Sequence, residues 1–163
     1  MLEWMGRNRE FIRLLMKYMN LFSHYNEKIS SSSDVSLNAQ QWQTLECIIE
    51  CEDENRNMFF MANQIGVPKS TFSKNVKLLV DIGLVDRYQQ SGNRKDIILK
   101  PSDKGREYYK IHSEIIFERM WKIPFSVLDK LSDKNMTMME EFMSKMIAAL
   151  VPVPEVRELF KIQ

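Results

Sequence analysis

The chain of 163 residues has a net charge of +1 and a hydrophobic fraction of 44%, which fits one domain, with or without dimerisation arms. No apolar window of about eighteen residues is present, so we expect neither a transmembrane helix nor a membrane partner. The N-terminal region carries charges and lacks an uninterrupted apolar core, so it is not expected to be a signal peptide, and a cytoplasmic protein is the default.

The first segment, from Met1 to about Ile29, is predicted to be one long amphipathic helix. Its apolar residues recur at the i, i+3, i+4, i+7 spacing of a helix face. They are Phe11, Leu14, Leu15, Tyr18, Met19, Phe22 and Tyr25. The face could pack on the chain's own core or pair with a second chain. Ser30 to Ser36 contains four consecutive serines and is predicted to be a solvated connector.

A second helix is predicted to begin at Asn38, whose side chain can cap it, with Gln41 completing a capping box. Trp42, Leu45, Ile48 and Ile49 form its apolar face. Cys47 and Cys51 lie four residues apart on this helix. A disulfide at that spacing would be strained, which leaves two interpretations, buried small hydrophobes or a redox-sensing thiol pair. No cluster of Cys and His has a metal-ligand spacing, so no metal is expected.

A helix-turn-helix is predicted next. A short helix over Met58 to Ile65 ends at Gly66, and a second helix starts at Val67–Pro68 and stops at Gly83. The apolar stripe of the second helix consists of Phe72, Val76, Leu79 and Val80. Basic and hydroxyl residues lie largely off that stripe and are free to point outward. They are Lys69, Ser70, Thr71, Ser73, Lys74 and Lys77.

A two-stranded hairpin is predicted to follow, from Leu84–Val85 and Ile97–Leu99, with Gln89 to Lys95 as a polar, basic tip. A helix-turn-helix with such a wing has the dimensions to read the DNA major groove. From Gly66 to Arg106 there are nine cations and four acids, so the charge is concentrated on this segment. That polarity favours an anionic partner.

The C-terminal part is predicted to be helical. Ser102 can cap a long helix that begins at Asp103 and that Pro124 must kink or end. A short helical segment over Phe125 to Leu131 and a last, methionine-rich helix over Asp133 to about Leu150 follow. The apolar surface of both chain ends exceeds what a winged-helix core needs, which argues for a two-fold dimer.

The sequence resembles the MarR family of winged helix-turn-helix transcription regulators. The resemblance is specific from about Leu37 to Gly105. The residues that carry it are Met61-Ala62-Asn63-Gln64-Ile65-Gly66, Pro68-Lys69-Ser70-Thr71-Phe72-Ser73-Lys74, Ile82-Gly83-Leu84-Val85, Asn93-Arg94-Lys95 and Pro101-Ser102-Asp103-Lys104-Gly105. Two positions depart from the family pattern. Asn93 replaces an aspartate that often orients the wing arginine, and Pro101 replaces a leucine, so the second strand should stop there.

The resemblance implies a mainly α fold with a small β-hairpin wing and one MarR-like domain over 1–163. Residues 37–101 would form the winged helix-turn-helix core, and residues 1–29 and 103–163 the helical dimerisation region. It also implies a bacterial homodimer that binds a pseudo-palindromic operator in double-stranded DNA, most often as a repressor. The predicted DNA contacts are Lys69, Ser70, Thr71, Ser73, Lys74, Lys77, Asn93, Arg94 and Lys95.

The resemblance further implies a small-molecule effector, phenolic or lipophilic, between the dimerisation helices and the winged core. His24, Trp42 and Tyr109 are candidates for that pocket, although each aromatic residue could equally be core. No cofactor is implied.

Three other function classes remain in view. The sequence has no Ser-His-Asp or Cys-His arrangement and no phosphate-binding loop, so an enzyme is not expected. A winged helix can serve as a protein-interaction module without binding DNA. A DNA binder that responds to no effector, or one that senses oxidants through Cys47 and Cys51, is the third class.

Overall fold

The computed structural model describes residues 3–23, 29–30, 35–90 and 93–150. The chain forms two compact units, Met1–Ile116 and Phe117–Gln163. The first contains all the strands of the described residues and the helix-turn-helix, and the second is helical where it is described.

The N-terminal segment is shorter and more broken than the predicted helix over Met1 to Ile29. A 3-10 segment, Glu3–Asn8, precedes helix α1, Arg9–Ser23. Gly6 separates them, since its φ of 49° and ψ of −134° are not helical. Ile29–Ser30 forms strand β1, which pairs antiparallel with β2, Ser36–Leu37. The predicted helix over Met1 to Ile29 was therefore wrong at both ends. The predicted connector, Ser30 to Ser36, is not irregular throughout, because Ser30 pairs with Ser36 in this short sheet.

The three central helices follow the predicted order. They are α2, Ala39–Glu50, α3, Met58–Gln64, and α4, Lys69–Asp81. Asn38 accepts a hydrogen bond from the Gln41 backbone N–H, while the Gln41 side chain accepts from that of Asn38. Asn57 likewise accepts from the Phe60 backbone N–H. These side chains satisfy N–H groups that a helix start leaves without intrahelical partners.

The wing is longer than predicted. Strand β3, Val85–Gln90, pairs antiparallel with β4, Asn93–Pro101, and Val85 lies opposite Pro101. Most of the predicted tip, Gln89 to Lys95, is therefore strand; the register is irregular between Gln89 and Gln90. Strand β4 ends at Pro101, as the sequence predicted, because proline cannot donate a further ladder hydrogen bond.

The helix after the wing breaks earlier than predicted. Helix α5 spans Asp103–Ile116, a π-helical segment spans Phe117–Trp121, and α6 spans Lys122–Leu128. Pro124 lies in the first turn of α6, where proline is tolerated. Its missing N–H removes the bond to the carbonyl of Met120, four residues earlier, which accounts for a break before the proline. Helix α7, Asp133–Leu150, has the predicted bounds.

The core of the first unit lies between α2, α3, α4, the wing and α5. Its buried apolar side chains come from each of these elements and from β2. They include Leu37, Leu45, Ile48, Met61, Phe72, Val76, Leu79, Leu84 and Leu99. This packing fixes α4 on one side and leaves its opposite face to solvent.

Candidate nucleic-acid interface

Helix α4 has one apolar face and one basic, hydroxyl-bearing face. Phe72, Val76 and Leu79 are fully buried, and the helical period of 3.6 residues turns the residues on the opposite side of the helix outward. Of the predicted DNA contacts on this helix, four are exposed and two, Thr71 and Ser73, are partly buried. The four exposed residues are Lys69, Ser70, Lys74 and Lys77.

A tight turn sets the start of α4. Gly66 has a φ of 70°, a left-handed conformation that glycine adopts without steric cost. The Val67 N–H donates to the carbonyl of Ala62 at 3.0 Å, which closes the turn on α3. Pro68 then precedes the first helical residue, and its carbonyl accepts from the Phe72 N–H at 3.0 Å. The chain therefore passes from α3 into α4 with little conformational freedom.

The far end of α4 is held by the start of α5. The carbonyl of Ile82 accepts from Lys104 Nζ at 2.8 Å, and that of Gly83 accepts from Ser102 Oγ at 2.7 Å. Ser102 also caps α5, because its Oγ accepts from the Gly105 N–H at 3.0 Å. A cation at a helix C-terminus complements the partial negative charge of the free carbonyls. Lys104 is therefore occupied with the protein's own backbone.

Gly105 allows α5 to lie directly against this corner. A Cβ atom at this position would lie 2.0 Å from the Leu84 carbonyl oxygen. The Leu84 carbonyl in turn accepts from the Ser102 N–H at 3.1 Å. The sequence identifies Gly105 only as part of a family pattern. The structure shows why glycine is needed there: any side chain would collide with the Leu84 carbonyl.

The wing places further polar side chains beside α4. Arg87 and Tyr88 on β3 are exposed, and neither is among the predicted contacts. The sequence marks Arg87 only as one cation of the basic segment; its position on a strand that leads to the tip is the signal that could have found it. Asn93, Arg94 and Lys95 lie at the start of β4, where Asn93 is opposite Gln90. The side chains of these three residues lie outside the described part of the chain.

The charge of the basic segment is divided between two tasks. Arg106 makes a bidentate ion pair with Glu52 in the α2–α3 turn, which lowers the pKa of the Glu52 carboxyl through hydrogen bonds from the guanidinium. Arg106 and Lys104 therefore both interact with groups of the protein itself. Lys69, Lys74, Lys77 and Arg87 are exposed and can interact with an external anion.

Two of the three predicted pocket residues meet between α2 and α5. Trp42 stacks on Tyr109 with ring centroids 5.1 Å apart. The Tyr109 hydroxyl donates to Glu46 at 2.9 Å, and burial together with this carboxylate raises the pKa of Tyr109 to about 12. His112, which the sequence pattern does not single out, is buried against Tyr108, with ring centroids 3.8 Å apart. His24 lies outside the described residues.

The two cysteines are buried in the α2–α3 interface. Cys51 Sγ lies 3.4 Å from Gln64 Oε1, and Cys47 Sγ lies 3.8 Å from the Met61 carbonyl oxygen. Burial raises the pKa of the Cys47 thiol to about 12, and the pKa of Cys51 is also raised. Sensor thiols are accessible and have lowered pKa values, so this environment counts against a redox role.

Two features are absent from the described residues. None of the helices there is long and apolar enough to cross a membrane. Within the same residues, no group of three or more His, Cys, Asp and Glu side chains is arranged to hold a metal ion.

No protein-family model matches the sequence, and no curated protein matches it. Solved structures do match. FabT of Streptococcus pneumoniae in complex with DNA is 15% identical, with 88% of this chain and 95% of that chain covered and a TM-score of 0.59. The zinc-responsive MarR family member ZitR of Lactococcus lactis is 14% identical, with 88% and 99% covered and a TM-score of 0.59. The transcriptional regulator SlyA is 20% identical, with 86% and 92% covered and a TM-score of 0.60.

The chain has the MarR-type winged-helix fold. The match covers most of both chains in each comparison, so it extends beyond the winged core. It confirms the mainly α fold with a hairpin wing that the residues over Leu37 to Gly105 predicted. In this fold α4 is the second helix of the helix-turn-helix, and the β3–β4 hairpin is the wing. The individual DNA contacts stay predictions.

Proposed function

We propose that this chain is a sequence-specific DNA-binding transcriptional regulator that acts as a homodimer, most simply as a repressor of a pseudo-palindromic operator. The observation that carries the proposal is the outer face of α4. Lysines and hydroxyl groups are exposed there, while the opposite face is locked into the core by Phe72, Val76 and Leu79. Such a face can bind phosphates through its lysines and base edges through its hydroxyls.

The fold relatives support this proposal. FabT crystallised in complex with DNA, and SlyA is named as a transcriptional regulator. In both cases the aligned region includes most of the present chain. A basic recognition helix on that fold is what a DNA-binding member requires, whereas a protein-interaction module does not need one.

The homodimer is proposed from exposed apolar side chains on helices that lie outside the winged core. On α1, Leu14, Tyr18 and Leu21 are 50%, 54% and 64% exposed, and they recur at helical spacing. A contiguous apolar face of this kind marks an interaction surface. A second copy would cover it, and two linked recognition helices would bind two half-sites with higher affinity than one.

The effector is proposed from one aromatic surface. Tyr109 is half-buried, stacks on the buried Trp42 and donates to Glu46, so an aromatic ring and a polar group lie near each other. A phenolic or lipophilic molecule suits such a surface. A shift in melting temperature on adding such compounds would separate a sensor from a DNA binder without an effector.

The test is DNA binding by the purified protein. A duplex selected by the protein from a random library is compared with a scrambled duplex at two salt concentrations. We expect tight binding to the selected duplex and weak, strongly salt-dependent binding to the scrambled one. Equal and weak binding to both would reject the proposal and leave the protein-interaction module as the function to examine.

Charge variants locate the interface. Removing Lys74 or Lys77 by substitution with alanine should weaken binding and reduce the salt slope by about one unit for each phosphate that the protein no longer neutralises. Arg94→Ala should do the same if the wing binds the backbone. Lys110→Ala, at an exposed position on α5, is the matched control and should leave the slope unchanged.

A further inference from the structure

A polar pair lies inside the otherwise apolar contact between the recognition helix and α2. Asn75, at the middle of α4, is 8% exposed, and Thr44 on α2 is 0% exposed. Asn75 Nδ2 lies 3.0 Å from Thr44 Oγ1 and 3.4 Å from the Gln40 carbonyl oxygen. The sequence alone assigns neither residue a role, although Asn75 falls beside Val76 on the apolar stripe of α4.

The direction of each hydrogen bond follows from the donors present. The Thr44 hydroxyl donates to the carbonyl of Gln40, four residues earlier, at 2.7 Å. Its oxygen is therefore left as an acceptor, and Asn75 must turn its amide nitrogen towards it. The donors and acceptors of the pair thus fit together in one arrangement. Burial makes any departure from that arrangement costly.

Apolar and polar contacts constrain a helix differently. Phe72, Val76 and Leu79 supply the burial that holds α4 in place, but hydrophobic burial does not depend on direction. A hydrogen bond does: it weakens steeply when its angle falls below about 120°, and it is lost when donor and acceptor separate to about 3.6 Å. Buried polar groups can in this way select one packing register at some cost in stability.

The outer face of α4 would amplify a small error in this register. Side-chain tips lie about 5–6 Å from the axis of a helix, so a rotation of about 10° moves them by about 1 Å. Direct readout of base edges depends on hydrogen-bond geometry at that scale. Contacts to phosphates by flexible lysines tolerate it, since the ammonium group acts as a point charge on a flexible stem.

We propose that Thr44 and Asn75 are positioning residues that set the DNA sequence specificity of α4 although neither contacts DNA. The inference rests on the proposed function, and it adds a prediction that the function alone does not make. Replacing the pair should separate three quantities: stability, non-specific affinity and specificity.

The decisive variant is Thr44→Val with Asn75→Leu, which removes both polar groups and keeps the contact apolar. We expect its unfolding midpoint in urea to stay near that of the wild type, because no buried polar group is left without a partner. We expect its affinity for a scrambled duplex and its salt slope to be unchanged. The ratio of affinities for the selected and scrambled duplexes should fall at least tenfold.

Two controls distinguish loss of the polar pair from a general loss of stability. Val76→Ala removes buried apolar volume from the same helix; it should lower stability and leave the affinity ratio within about twofold of the wild type. Thr44→Ser keeps the hydroxyl and should keep the ratio, whereas Thr44→Val alone should lower it. If the double variant fails to fold, the comparison of Thr44→Ser with Thr44→Val tests the inference instead.

The outcomes are distinguishable. A double variant that retains the wild-type affinity ratio overturns the inference and leaves the proposed function intact. So does a ratio that falls equally in Val76→Ala, since specificity would then follow general stability. A wild-type protein that selects no sequence from the random library overturns the proposed function and the inference together.

Discussion

The winged core and the flanking helices use the same kind of amphipathic pattern with opposite results. From Leu37 to Tyr108, every helix and both long strands carry large apolar side chains that are fully buried or nearly so, and the exposed ones are Phe59, Phe60 and Tyr88. Over 117–150 no described residue is buried, and Ile123 and Leu150 are 79% and 75% exposed. Helix α1 resembles this second group. An apolar stripe predicts that something will cover it, and only the three-dimensional arrangement shows whether the same chain does so.

The difference explains why each region should respond differently to substitution. In the core, removing a methyl group leaves a cavity, because the surrounding side chains are already packed. On an exposed helix face the same change leaves no cavity in the monomer. Its cost then depends on whether a second copy covers the face, so paired substitutions test the proposed dimer directly.

The largest effect is expected for Leu45→Ala, which empties a fully buried position on α2. We expect a decrease of about 2–5 kcal/mol in the free energy of unfolding, measured by urea denaturation. Met143→Ala on α7, which is 46% exposed, is the matched control. It should cost less than about 0.5 kcal/mol in a monomer. A larger, concentration-dependent cost would show that Met143 is covered in an oligomer.

The next effect concerns α1. Leu14→Glu places a charge on its exposed apolar face and should convert a dimer into a monomer, as measured by light scattering. Affinity for the selected duplex should fall about 100-fold, because the two half-sites are then bound independently. Lys17→Gln changes the charge of the same helix by the same amount and should leave the dimer intact. A dimeric Leu14→Glu variant would exclude this face from the interface.

A smaller effect is expected at the corner between α4 and α5. Gly105→Ala should lower the free energy of unfolding by about 1–3 kcal/mol, because the new Cβ displaces the Leu84 carbonyl. Helix propensity alone would predict a gain at this position. Lys110→Ala, at an exposed position of the same helix, isolates the contribution of propensity. A more stable Gly105→Ala protein would show that the close approach is relieved at no cost.

The smallest effect is a dependence on alkaline pH. The pKa of Cys47 is about 12 in the folded chain against an ordinary value of 9.0, so between these values the unfolded chain releases the proton first. Stability is then fully present below about pH 9 and falls as pH rises towards 12. The decrease between pH 8 and pH 10 should be about 1.4 kcal/mol. Tm measured across this range in the wild type and in Cys47→Ala checks it, since the variant should lack that part of the slope.

The sequence predicted the winged core well where local chemistry sets the structure. Asn38 and Ser102 cap the helices they were expected to cap, and Asn57 caps α3 in the same way. Gly83, with a φ of 77°, has the left-handed conformation expected just after α4. These features depend on a few neighbouring residues, and so the local sequence is enough to specify them.

The misses occur where distant segments decide the outcome. Ile29 continues a helical pattern, yet it pairs with Leu37. The polar residues of the predicted wing tip are strand because Gln89 lies opposite Ile97 and Gln90 opposite Asn93. Helical spacing places Asn75 on the apolar stripe of α4, but the sequence does not identify its partner, because the acceptor lies on α2, 31 positions away. No local pattern carries that information.

Gly105 also has a genetic consequence. Every single-nucleotide change of a glycine codon that alters the amino acid introduces a side chain or a stop codon. At an ordinary helical position, drift towards alanine would be favoured, since alanine is the better helix former. At this position the Leu84 carbonyl, 2.0 Å from where a Cβ would lie, makes every such side chain destabilising. A change that moves the backbone around Leu84 would remove this cost, so substitutions at position 105 should accompany changes near Leu84.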